Sequence, residues 1–187
     1  MAAVILVEGM SDKVVLETLA ARLGRDLDGS NVAVVSMSGA HAINRHLTQL
    51  VRSASDTVVG GLCDEGEEDI FRRGLQRAGL GHPLNRLDME SLGFYVCVED
   101  LEDELIRAVG SGAVEQAIHA QGELSSFRTF QKQARWRGRT INDQLRRFLA
   151  NSNRKQRYGP LLIEQLDLDR VPRPLKGVLD SVEGPGI

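Results

Sequence analysis

Cysteine is scarce. Two residues, Cys63 and Cys97, in a chain of 187 make no disulfide framework. Both are expected as reduced thiols in a cytoplasmic protein. Each falls near the end of a predicted strand and reads as a buried core thiol. Long apolar runs are also missing. The longest stretches are a handful of residues, against the roughly 20 that a spanning helix needs, so no membrane partner is expected. Val4 to Val7 runs straight into Glu8, which argues against an N-terminal signal peptide. The four histidines, His41, His46, His82 and His119, show no metal spacing, although His41 sits where it could touch a phosphate. Of the two tyrosines, Tyr95 lies inside a predicted strand and reads as core. Tyr158, in a basic stretch, suits packing or phosphate binding better than nucleophilic attack. No internal repeat or low-complexity segment is present. What remains, 42% hydrophobic and 26% charged residues, is globular composition. It excludes a disordered chain, collagen and a coiled coil.

The net charge of −3 conceals a split. Leu124 to Lys176 holds 13 Lys and Arg against 4 Asp and Glu, which leaves 10 bases and 22 acids elsewhere. An acidic body with a basic C-terminal third points to a polyanionic partner, or to a solvated basic face on a helical subdomain. Arg128, Lys132, Arg135, Arg137, Arg139, Arg154 and Arg157 are candidate phosphate contacts. Phe127, Phe130 and Trp136 lie among them and read as core or as stacking platforms for bases.

Along the chain, apolar runs alternate with helical patterns. Val4–Val7 predicts a buried strand, and Lys13–Leu23 a helix with Ser11 as N-cap and Gly24 just past its end. Val32–Val35 is a second strand. Gly39 then serves a tight turn and a close backbone approach to ligand, before a helix through Ile43, Leu47 and Leu50 to Val51. Thr57–Leu62 is a third strand, ending at Asp64, with a helix over Glu67–Ala78. Phe94–Val98 is the fourth. Strands that alternate with helices and are apolar throughout imply an α/β fold, with a mostly parallel four-stranded sheet flanked by helices. Residues 1–110 are expected to form this core, and 111–187 a helical, basic extension packed on it. Helices are predicted over Leu101–Val109, Ala113–His119, Ile141–Leu149 and Arg154–Leu166. Val171-Pro172-Arg173-Pro174 is expected to end regular structure, and Gly184-Pro185-Gly186 to be a frayed tail.

Ligands of open parallel sheets bind beyond the carboxyl ends of the strands. Three of the four predicted strands end there in carboxylates: Glu8 and Asp12, then Asp64 with Glu65, Glu67, Glu68 and Asp69, then Glu99, Asp100 and Glu102. Carboxylates gathered at one edge repel one another unless cations lie between them. Hard oxygen ligands suit Mg²⁺ or Mn²⁺. Two such ions roughly 4 Å apart can serve phosphodiester chemistry.

Val7-Glu8-Gly9-Met10-Ser11-Asp12, between an apolar strand and a helix, resembles the first motif of a TOPRIM domain, the Rossmann-like unit shared by topoisomerases, bacterial primases and several nucleases. The strand ending in Asp64 resembles the second motif. Together with Val98-Glu99-Asp100-Leu101-Glu102, the sequence is most similar to the nucleases of the OLD (overcoming lysogenization defect) family. The resemblance covers about Met1 to Arg107, and extends more loosely to Arg154-Lys155-Gln156-Arg157-Tyr158. It implies Glu8 as metal ligand or general acid/base, and Asp64 as the first aspartate of an Asp-x-Asp motif. It further implies Asp12, Asp100 and Glu102 as ligands of a second metal, and Lys155 as the lysine that steadies the transition-state phosphate. The second aspartate of Asp-x-Asp is Gly66 here, which offers no side-chain ligand; either Glu67 or Glu68 takes its place, with Glu68 in the expected ligand set, or the first metal site is weak or absent. OLD proteins usually carry an ATPase domain, yet no G-x-x-x-x-G-K-[ST] loop occurs in this chain. ATP dependence, if any, is expected to come from a separate ATPase subunit. The favoured function is a Mg²⁺- or Mn²⁺-dependent nuclease acting on DNA. A non-catalytic nucleic-acid-binding module and a primase-like nucleotidyl transferase are the alternatives.

Overall fold

The computed structural model describes residues 2–53, 57–81 and 84–182. Its elements run β1 (Ala3–Val7), α1 (Met10–Arg22), β2 (Val32–Ser36), α2 (Ile43–Ser53), β3 (Val58–Asp64), α3 (Glu68–Arg77), α4 (Arg86–Ser91), β4 (Phe94–Cys97), α5 (Leu101–Val109), α6 (Ser111–Ala120), α7 (Leu124–Gln131), α8 (Ile141–Leu149), α9 (Ser152–Gln165) and α10 (Arg173–Val182). His82 and the Gly184-Pro185-Gly186 tail lie outside the described residues.

The strands form one four-stranded sheet in the order β2-β1-β3-β4, every pairing parallel. A central parallel strand is buried on both faces, which is why β1 is continuously apolar. Ile5, Leu6 and Val7 are all fully buried. The side-chain period of two sends Ile5 and Val7 into one apolar cluster and Leu6 into the other. The smaller cluster holds Ile43, Leu47, Phe71, Leu75 and Met89 from α2, α3 and α4. The larger one lies under α1, α5–α10 and the opposite face of the sheet. In β3, Gly61 leaves room for the Phe94 ring of β4; a Cβ there would lie 2.6 Å from it.

The helix starts are close to expectation, with local differences. The N-cap of α1 is Gly9, not Ser11; Asp12 in the first turn accepts the Gly9 N–H at 2.8 Å. Gly24 follows α1 at φ +73°, as a residue beyond a helix C-terminus should. The basic stretch 125–138 is helical only through α7, and residues 132–139 are turns. α4 is too short to have shown a periodicity.

The larger correction is α10. Regular structure does not end at Val171-Pro172-Arg173-Pro174; a ten-residue helix begins at Arg173. Pro174 falls in its first turn, where a missing N–H costs no hydrogen bond. Leu175, Val178, Leu179 and Val182 then form one buried stripe against β1, β3 and β4. The last helix therefore shares the core of the sheet. Likewise, α9 lies along α1, where Gly159 faces Val15 so closely that a Cβ would stand 2.6 Å from Val15 Cγ2. Helices after residue 110 thus pack on the sheet and on α1.

Candidate functional site

Parallel pairing places the carboxyl ends of β1, β3 and β4 side by side. Glu8 follows β1 directly. Asp64 ends β3, and its Oδ1 accepts the Leu101 N–H at 3.0 Å, tying that strand to the start of α5. Asp100 caps α5 through the Asp103 N–H at 2.8 Å. Asp12 and Glu102 occupy the first turns of α1 and α5. From α9, Lys155 reaches this edge and places Nζ 2.6 Å from Glu102 Oε2. The structure thus brings together Glu8, Asp12, Asp64, Asp100, Glu102 and Lys155.

Their charges act on one another. Burial, then Asp12 and Glu67, push the Glu8 carboxyl up to about 7, against the pull of Lys155. Burial pushes Asp64 up to about 7 as well, helped by Glu8, Asp12, Asp100 and Glu102. Burial likewise raises Asp12 and Glu102, each opposed by Lys155. For Lys155 itself, burial works against the ammonium, but Glu102, Asp64 and Asp100 outweigh it and hold it above the usual lysine range. Two non-glycine residues at this mouth have left-handed backbone: Ser38 at φ +61° after β2, and Glu99 at φ +64° after β4. Such backbone conformations are held only where the surroundings enforce them, and they concentrate at functional sites.

Several placements sharpen the expected ligand set. Glu68 bonds Arg86, which it meets at Nη2 and, at 3.1 Å, at Nε. Glu67, by contrast, raises Glu8 through its charge. Gly66 opens onto free space, with nothing within 4 Å of where a Cβ would stand. Gly39 donates its N–H to the Glu8 carbonyl at 2.9 Å, which joins the β2 turn to the first motif. Cys63 and Cys97 are free and buried, and burial raises both thiols. Phe127 and Tyr158 are buried core residues.

The basic residues separate into two groups. Arg154 pairs with Glu123 at 2.7 Å and lies 3.8 Å from the Phe148 ring centroid; Arg157 joins Glu123 at 2.8 Å. Arg128 bonds Glu115 and Gln131. Arg137 bonds the Lys132 carbonyl at 3.1 Å. These hold helices and turns together. Arg135 and Arg139, however, line a cleft of about 450 Å³ with Trp136, Asp143, Arg146, Arg147, Ala150 and Asp100. The cleft opens beside the acidic edge through Asp100. Arg146 escaped the sequence reading: its Nε donates to Asp100 Oδ2 and its Nη1 to Glu99 Oε2, both at 2.6 Å. Gln144 was missed too. It is buried on α8 and donates to the carbonyls of Trp136 and Arg139 at 2.9 and 3.2 Å. The apolar period of α8 hides both residues, because neither breaks it.

Among the described residues, no three His, Cys, Asp or Glu side chains stand in ready-made coordinating geometry. The donor set nonetheless fits a hard divalent cation. Glu8 Oε1 is buried with no hydrogen-bond partner, an uncompensated acceptor within a cluster of carboxylates.

A parallel β2-β1-β3-β4 sheet with carboxylates on the ends of three strands is the arrangement of a TOPRIM domain. Residues 2–58 match the family model described as the overcoming lysogenization defect protein-like TOPRIM domain. The fold is similar to that of the C-terminal region of the Xanthomonas campestris pv. campestris OLD protein, at 19% identity and a TM-score of 0.68, covering 96% of this chain and 93% of that one. The C-terminal region of the Burkholderia pseudomallei OLD protein is similar at 18% identity and a TM-score of 0.68, covering 96% of both chains. The N-terminal part of the chain thus matches the OLD-like TOPRIM family, and the whole has the fold of the OLD C-terminal region. No curated protein sequence matches the chain. Among the described residues, no helix is long and apolar enough to cross a membrane.

Proposed function

We propose that this protein is a Mg²⁺- or Mn²⁺-dependent phosphodiesterase that cleaves nucleic acid, with DNA as the preferred substrate. One observation carries the reading. Five carboxylates from three strand ends surround a single partly buried lysine, beside a cleft lined by arginines. Glu8, Asp64 and Glu67 would hold one cation, and Asp12, Asp100 and Glu102 a second. When bound, the cations supply Lewis-acid activation of water and neutralise charge at the phosphorus. Asp12 and Glu102 stay fixed at helix starts, Asp12 through Gly9 and Glu102 through Lys155. Lys155 presents its ammonium where negative charge grows on the phosphate. In the cation-free site burial and its acidic neighbours put the Glu8 carboxyl near 7; with a cation bound it would be held ionised as a ligand. A separate ATPase subunit would supply any nucleotide dependence.

A second reading, a binding module without catalysis, rests on Gly66 in place of an aspartate and on Arg146 clasping Asp100. Cleavage of supercoiled plasmid separates the two. Metal-dependent nicking, abolished by EDTA and by the Asp64→Ala, Asp100→Ala double variant, is expected. Intact plasmid with either metal, from protein that still binds DNA, would favour the binding module over the nuclease.

A further inference from the structure

We propose that the cleft between Asp100 and the turn 132–139 is a built phosphate subsite. It grips the backbone of a single nucleic-acid strand next to the phosphodiester at the acidic edge. The inference rests on nucleic acid being the ligand, but not on its being cut.

Three observations define the subsite. The first is unspent charge. Among the described residues, no ion pair involves Arg135, Arg139 or Arg147, whereas Arg128, Arg154 and Arg157 are each matched to a glutamate. Cations brought together around a cleft without carboxylate partners repel one another unless an anion joins them. A guanidinium fork matches a phosphate's oxygens in geometry as well as in charge.

The second is rigidity. Turns rich in arginine are commonly loose, but this one is anchored from beneath. Gln144 donates to the Trp136 and Arg139 carbonyls, and its own Oε1 accepts from Gln131 Nε2 at 2.7 Å. Trp136 stacks on Phe130 with centroids 5.2 Å apart, and Arg135 lies 5.5 Å from the indole centroid. The indole is therefore engaged by its own neighbours, so the cleft offers cations to a phosphate rather than an open ring to a base.

The third is location. Asp100 lines the cleft and is one of the carboxylates around Lys155. Arg146 bridges the two regions through Asp100 and Glu99. A strand lying across both would set one phosphate among Arg135, Arg139 and Arg147 and a neighbouring one at the acids. Asp143, on the cleft wall, keeps the charge moderate and disfavours deep burial of a bare anion.

The test is binding without cleavage. A labelled single-stranded DNA oligonucleotide is titrated in EDTA at several salt concentrations and followed by fluorescence anisotropy. The Arg139→Gln, Arg147→Gln double variant should bind about tenfold more weakly, and the slope of log affinity against log salt should flatten by about one. Arg52→Gln on α2, an equal change of charge per site remote from the cleft, should leave the slope unchanged. Gln144→Met keeps every arginine but releases the turn. It too should weaken binding, in protein whose melting curve shows that it is folded. An unchanged slope in the double variant, or a loss equal to that of Arg52→Gln, would overturn the subsite. So would competition by a mononucleotide or by pyrophosphate at micromolar concentration, which would assign the cleft to small phosphates. Because these titrations contain no free metal, failure to nick plasmid refutes the nuclease reading alone, and failure here refutes the subsite alone.

Discussion

The Arg146 guanidinium is joined to Asp100, with Nε 2.6 Å from Oδ2, and the same side chain holds Glu99 through Nη1. One cation thus stands where the second metal would draw on the same carboxylates. Substituting Arg146→Gln removes that competitor. Mn²⁺ should then bind about three- to tenfold more tightly, since a unit charge at contact distance near the surface is worth on the order of 1 kcal/mol or more. Isothermal titration calorimetry reads this directly. Weaker binding would mean that Arg146 orients Asp100 for the metal instead.

Glu8 and Asp64 make metal-free stability depend on pH. Both carboxyls are pushed up to about 7 in the folded state. In the unfolded chain they return to the ordinary carboxylate range, roughly 4. Between these limits the folded state holds protons that the unfolded chain has released, so stability falls as pH rises from about 4 to about 7, and then levels off. The melting temperature in EDTA should be lower at about pH 8 than at about pH 5. Added Mg²⁺ should restore more at the higher pH, where the ligands are ionised. A flat profile would mean that burial and the neighbouring carboxylates do not raise these two groups.

Gly66 offers a gain-of-function test. Its Cβ position faces open space, so Gly66→Asp should alter stability by no more than about 0.5 kcal/mol. By completing Asp-x-Asp it should tighten Mg²⁺ binding and raise the nicking rate. If neither changes, Glu67 already fills the position.

Lys155→Met should leave strand binding within a few-fold of the parent while cleavage falls by roughly 10²–10³, the usual effect of losing one charged donor to a transition state. Equal losses in both would make Lys155 a binding residue only.

Gly159→Ala probes the seam between α9 and α1. Alanine favours a helix, but its methyl would meet Val15, a stiff side chain, at 2.6 Å. Destabilisation of about 1–3 kcal/mol is expected. Val15→Ala in the same molecule should recover part of it, a coupling that a double-mutant cycle measures.

The strand ends were legible because a central parallel strand must be apolar and its carboxyl end must leave the sheet. Val4–Val7 followed by Glu8 shows both facts in five residues. Lys155 was legible only through family resemblance, since nothing in Arg154-Lys155-Gln156-Arg157 singles it out; α9 decides which of these four faces the acids. Arg146 stayed hidden because its bonds to Asp100 and Glu99 join segments distant in sequence. α10 was missed because Pro172 and Pro174 read as a stop, although proline in a first turn starts a helix as readily as it ends one.

The order of synthesis follows from where α9 and α10 lie. A ribosome delivers Glu8, Asp12 and Asp64 before Lys155, and Lys155 before Leu179. Until α9 docks on α1, the acids have no Lys155 ammonium among them, and until α10 arrives, its apolar stripe is missing from one face of β1, β3 and β4. A chain cut short before α9 and α10 would lack both the Lys155 ammonium among the carboxylates and the buried stripe of Leu175, Val178, Leu179 and Val182.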